Sequence, residues 1–156
     1  MMRAALLIVV VIAACSPKAR GHEDDLLSEI RAYQEGLRWR RLEDAAARVP
    51  PAEREQFLDR LERLEGELFV DDYEITRVKL ATGGEKATVQ VKLTWHLDSV
   101  GVVYESVLES TWVRVGKAWL RAEEALKSGE PVPGVALGHT DQVHPPPSGG
   151  PDAGAR

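Results

Sequence analysis

Four histidines, four tryptophans and a few adjacent acids are the side chains of this 156-residue chain best suited to chemistry. His139, Asp141 and His144 are metal-donor types. They lie in a proline- and glycine-rich stretch with no helix or strand to fix their spacing or to supply a supporting shell, so no metal ligand is expected from them. His96 falls on the polar side of an alternating run, where an exposed strand residue is expected rather than a general base. Asp71-Asp72 stands between a predicted helix and a predicted strand, a position suited to a turn, and Glu123-Glu124 closes the last predicted strand. Glycine-rich phosphate loops, a nucleophile elbow and zinc-protease spacing are absent from the sequence. No catalytic residue, metal or cofactor is therefore expected.

The aromatic residues are more suggestive. Tyr33 and Trp95 occupy predicted inward faces, and Trp112 and Trp119 are candidates to join them. Two readings stay open for this set: large rings that fill a core, or rings that line an apolar pocket with a few polar tips for a small ligand. Trp39 breaks the helical stripe and is expected on the surface as a contact residue.

The single cysteine, Cys15, follows a charge-free run from Ala4 to Ala14 that is preceded by Arg3. A short positive head, an apolar core and small residues before a cleavage point have the form of a secretory signal. The run is too short for a membrane span, which needs about 20 apolar residues. Ile12-Ala13-Ala14-Cys15 resembles the lipobox of bacterial lipoproteins. The resemblance implies cleavage before Cys15, a diacylglyceryl thioether on its sulfur and acylation of the new amino terminus. Two such acyl signals hold a protein stably on a bilayer. Ser16 after the cysteine, where aspartate would retain a lipoprotein at the inner membrane, implies the periplasmic face of the outer membrane.

Residues 1–14 are thus read as a signal peptide and 15–23 as a lipidated start with a short polar tether. Residues 24–127 form one domain, and 128–156 a proline- and glycine-rich tail without hydrophobic periodicity. The net charge of −5 gives no reason to expect nucleic-acid binding, which would show a basic stripe. Arg38, Arg40 and Arg41 are flanked by Glu35, Glu43 and Asp44 and are read as a solvated helix face.

Within the domain, Leu26, Ile30, Tyr33 and Leu37 repeat at helical spacing behind the capping candidates Asp24 and Asp25. Leu42, Ala45 and Ala46 extend the stripe towards Val49, with Gly36 as its weak point. Pro50-Pro51 stops this helix and starts another, which carries Phe57, Leu58, Leu61, Leu64 and Leu68. From Asp72 the period becomes two. Ala87, Val89, Val91, Leu93, Trp95 and Leu97 alternate with polar residues as in a strand with one wet face. Tyr73 and Ile75 take one phase and Val78 and Leu80 the other, which predicts a bulge near Thr76 or Arg77. Gly83-Gly84 and Gly116-Lys117 are predicted turns, bounding a third strand over 102–115 and a fourth over 118–123. The expected class is α+β: two N-terminal helices packed on a curved four-stranded antiparallel sheet.

The order of elements, with "RAYQEGLRWRRLEDAAARVPP", "DYEITRVKL", "KATVQVKLTW" and "STWVRVGKAWL", resembles the NTF2-like group of cone-shaped domains; the related cystatin-like layout would give a similar list of elements. It is also similar to small bacterial envelope lipoproteins. The NTF2-like resemblance implies a curved sheet that encloses a pocket, a scaffold used by enzymes, ligand binders and dimerising proteins alike. The expected function is a lipid-anchored envelope protein that associates with a partner protein or with itself. A binder of a small apolar ligand or lipid is the alternative, and an isomerase- or dehydratase-like enzyme is a further one by fold analogy.

Overall fold

The computed structural model describes residues 17–135, with side-chain surroundings from residue 21 onward. The lipobox residues Ile12, Ala13 and Ala14, the lipid-attachment candidate Cys15, and His139, Asp141 and His144 lie outside the described residues. Three helices, α1 (Pro17–Arg38), α2 (Leu42–Ala46) and α3 (Arg54–Glu62), precede four strands, β1 (Leu68–Leu80), β2 (Lys86–Leu97), β3 (Val103–Val115) and β4 (Ala118–Gly129). The strands form one antiparallel sheet in the order β1-β2-β3-β4. Among the described residues no helix is long and apolar enough to cross a membrane.

The helical stripe of α1 is buried as its spacing requires: Leu26, Ile30 and Tyr33 are fully covered and Leu37 nearly so. Two features of α1 depart from expectation. It is already helical at Pro17, where the described residues begin, so most of the expected polar tether and the expected caps Asp24 and Asp25 lie within it. It also stops at Arg38 instead of running on to Val49. Arg40 adopts φ +56°, and the Arg41 N–H donates to the Gly36 carbonyl at 2.8 Å. That left-handed residue and the long bond behind it reverse the chain as in a helix C-cap. The reversal lays α2 against α1 so closely that a Cβ on Gly36 would stand 2.8 Å from the Ala45 nitrogen. Gly36 is a weak helix former that permits this contact.

Pro50-Pro51 separates the helices as predicted, through a 3₁₀ turn at Pro51–Glu53. In α3, Phe57 and Leu61 are buried, whereas Leu68 belongs to the first strand rather than to this helix. Along β2, Ala87, Val89, Val91, Leu93 and Trp95 are all buried and their neighbours are not. The β1–β2 register slips between Ile75 and Arg77, where the change of phase predicted a bulge, and again between Val70 and Asp72. The second slip places Asp71-Asp72 inside β1 instead of in a turn.

The fourth strand and the tail differ most from expectation. β4 runs six residues beyond Glu123, to Gly129, so Glu123-Glu124 lies in mid-strand. Past the expected tail boundary at Ser128, Val132 and Val135 are buried in the core, and the Glu130 carbonyl accepts from Ser106 Oγ. Proline and glycine composition there marks a bent segment that packs, because two well-placed valines bury enough apolar surface to hold it.

Candidate functional site

A tyrosine, an arginine and a glutamate, fully or almost fully removed from solvent, meet on the helix-facing side of the sheet. Helical spacing brings Tyr33 there from α1. Arg121 and Glu124 come from β4, and their spacing needs explanation: residues three apart on a regular strand point to opposite faces. The β3–β4 register slips between Thr111 and Trp112, so that Trp112 pairs with Arg121 and Ser110 with Glu124. The extra residue resets the phase and turns both charged side chains inward.

Glu124 Oε2 accepts from Arg121 Nη1 at 2.6 Å and from the Tyr33 hydroxyl at 3.1 Å. Arg121 Nη1 also donates to the Val135 carbonyl at 3.3 Å. The guanidinium carbon lies 4.9 Å from the centre of the Tyr33 ring and 5.2 Å from that of Phe57, within cation–π range. Trp112 meets Tyr33 edge-on at 6.0 Å. Burial pushes the Tyr33 hydroxyl well above its ordinary pKa; the Arg121 charge opposes this and Glu124 adds to it. Burial likewise raises the Glu124 carboxyl, against the pull of Arg121 and of its two hydrogen bonds. Arg121 is held above its ordinary value: burial works against its charge, but Tyr33 and Glu124 outweigh burial. A cation, a carboxylate and a phenol in a dry setting are groups able to bind a polar ligand or to fix a unique core.

The aromatic candidates divide. Tyr33 and Trp112 belong to this cluster. Trp95 is equally buried but packs on Tyr104 at 4.8 Å and donates to Ser106 Oγ at 2.9 Å. Trp119 is buried, and its indole N–H has no partner among the described residues. None of the four lines either of two clefts in the molecule. One, of about 20 Å³, is bordered by Leu37, Leu61, Leu64, Val70 and Val135 among others; the other, of about 230 Å³, lies by Asp72, Glu74, Lys92 and Glu105. The rings therefore fill a core rather than these clefts.

His96 lies on the outer face as expected, half-buried, with Nδ1 2.8 Å from Asp71 Oδ2 and its ring stacked on Phe69 at 5.1 Å. Trp39 is 62% exposed. Asp72 pairs with Arg38 at 3.4 Å. Sequence reasoning missed Arg121 and Glu124 as a pair, although two charged residues flanked by Trp119 and Leu126 in an apolar strand were a signal that one of them is buried.

No family model matches the chain, and no curated protein matches it. Among solved structures it is similar to a SEC-C motif containing protein from Rhodopseudomonas palustris, determined in solution. The TM-score is 0.54 at 12% identity, over 62% of this chain and 74% of that one. Identity so low speaks for the fold alone. The class is an α+β domain with a four-stranded antiparallel sheet that does not close on itself.

Proposed function

We propose that the chain is a lipid-anchored protein of the bacterial cell envelope, with an NTF2-like domain that works by associating with a second copy of itself across the outer face of its sheet. The observation that carries this reading is the division of the sheet into a filled face and an open one. The helix-facing side is occupied by Tyr33, Trp95, Trp112, Trp119, Arg121 and Glu124. The other side mixes apolar residues, Val103, Val107, Val113 and Leu120, with charges of both signs, Lys92, Glu105, Glu109 and Lys127. A two-fold interface sets each patch against itself, and a face bearing both signs matches its own copy where a face of one sign would repel it.

Anchoring rests on Ile12-Ala13-Ala14-Cys15, and the chain is helical at Pro17, where the described residues begin. The domain would then sit against its bilayer.

Two experiments test the two halves of the proposal. Cys15→Ala should move the protein from the membrane fraction to the soluble fraction of envelope preparations; persistence at the membrane would end the lipoprotein reading. Native mass spectrometry of the Cys15→Ala chain should give a dimer that Val107→Arg converts to monomer. A monomer at all concentrations would exclude self-association and turn attention to other envelope proteins by crosslinking.

A further inference from the structure

We infer that the buried edge of Arg121 is the head of a binding site for a small carboxylate, covered by the segment from Pro131 to Val135. Arg121 is fully buried, yet Nε and Nη2 have no hydrogen-bond partner among the described residues. These two N–H groups lie side by side along one edge of the planar guanidinium, the arrangement that a carboxylate meets with two parallel bonds. Nη1, on the other side, already serves Glu124 and Val135. The Tyr33 and Phe57 rings cover the faces of the guanidinium; they satisfy its charge in part but accept nothing in its plane.

A second guanidinium stands nearby. Arg60 Nη2 is buried without a partner, and burial followed by the Arg121 charge pulls Arg60 below its ordinary pKa. Two cations thus share one neighbourhood with two carboxylates, Glu124 in direct contact with Arg121 and Glu53 acting on both arginines from farther off, yet neither carboxylate reaches the Nε–Nη2 edge of Arg121. Leaving donors buried and unmade is costly.

The cover is held to the two arginines by long bonds. Arg60 Nε holds the Gly134 carbonyl at 3.4 Å and Arg121 Nη1 the Val135 carbonyl at 3.3 Å, both near the long limit for a hydrogen bond. Val135 also borders the small apolar cleft with Leu61 and Leu64. A ligand with one carboxylate and a compact apolar body would take the place of Val135, between the arginine and the Leu61 and Leu64 side chains. This site differs in place and chemistry from the outer sheet face and does not depend on it.

The test uses the whole chain from Cys15, carrying Cys15→Ala, in low-chloride buffer with sodium benzoate as probe. Benzoate should bind saturably at one site and shift the Arg121 Nε–H resonance in proton–nitrogen spectra, whereas benzyl alcohol should leave it in place. Arg121→Lys keeps the charge but loses the paired edge, and should weaken binding at least tenfold; Arg60→Gln should weaken it severalfold. No saturable binding, or binding that leaves the Arg121 resonance unmoved, overturns the inference. Should Arg121→Lys fail to fold, the resonance shift in the unsubstituted arginine and the Arg60→Gln titration decide. Inorganic phosphate that binds as tightly as benzoate would overturn the assignment to carboxylates.

Discussion

The two faces of the sheet carry the same kinds of charged residue in opposite physical settings. On the outer face, Lys92 meets Glu105 at 2.6 Å, and Glu109 accepts from Gln90 at 2.7 Å and from Lys127 at 3.1 Å. Water reaches all of these groups, and exposed pairs of this type contribute little to stability because solvation and side-chain freedom offset their attraction. On the inner face, Arg121 and Glu124 meet at the same 2.6 Å with no water to compete. There desolvation sets the energetics: the pair is weak evidence of net stability, but the loss of one partner leaves an uncompensated buried charge. Equal distances therefore do not mean equal consequences. The inner pair holds the core to one arrangement, and the outer pairs leave their face free to exchange partners.

The largest expected effect comes from breaking the inner pair on one side. Glu124→Ala should lower unfolding free energy in urea by about 3–5 kcal/mol; a loss no greater than that of an outer-face variant would erase the distinction between the faces. Replacing both members, Arg121→Met with Glu124→Leu, sharpens it. The double variant should recover to within about 1 kcal/mol of the parent or exceed it, since apolar residues of similar volume avoid the desolvation cost.

Tyr33→Phe removes a hydrogen bond to a charged acceptor and should cost about 2 kcal/mol at neutral pH. The folded-state pKa of Tyr33 lies above its ordinary 10.0, so its share of stability is complete below that value and is lost as pH rises through the folded one. Denaturation followed from pH 8 upward should show the gap between parent and variant narrow above pH 10; a constant gap would mean that the hydroxyl is not the titrating group. The smallest effect is expected outside. Hydrogen bonds from Gln90 and Lys127 lower the Glu109 carboxyl, and what they contribute is present above its ordinary pKa and fades as pH falls through the depressed one. Lys127→Ala should nevertheless leave the thermal midpoint unchanged within error at pH 7, because the pair stands in water.

Local periodicity made much of the fold legible. The alternation from Ala87 to Trp95, the Gly83-Gly84 and Gly116-Lys117 turns, and the Pro50-Pro51 break each act through near neighbours in the chain, and each appears where the sequence places it. The bulge near Arg77 was legible for the same reason, since the apolar residues on its two sides change phase.

What the sequence by itself determined, then, is the α+β class, the order of the four antiparallel strands and which face of β2 is dry. The tertiary structure alone decided three further matters. It ended α1 at Arg38, because the approach of Gly36 to Ala45 depends on two helices meeting. It brought Val132 and Val135 into the core, because they find apolar partners only on distant elements. It joined Arg121 to Glu124, because the slip that turns both inward is set by pairing with β3. Backbone preference and alternation are properties of a segment, whereas register and burial are properties of the partners it meets.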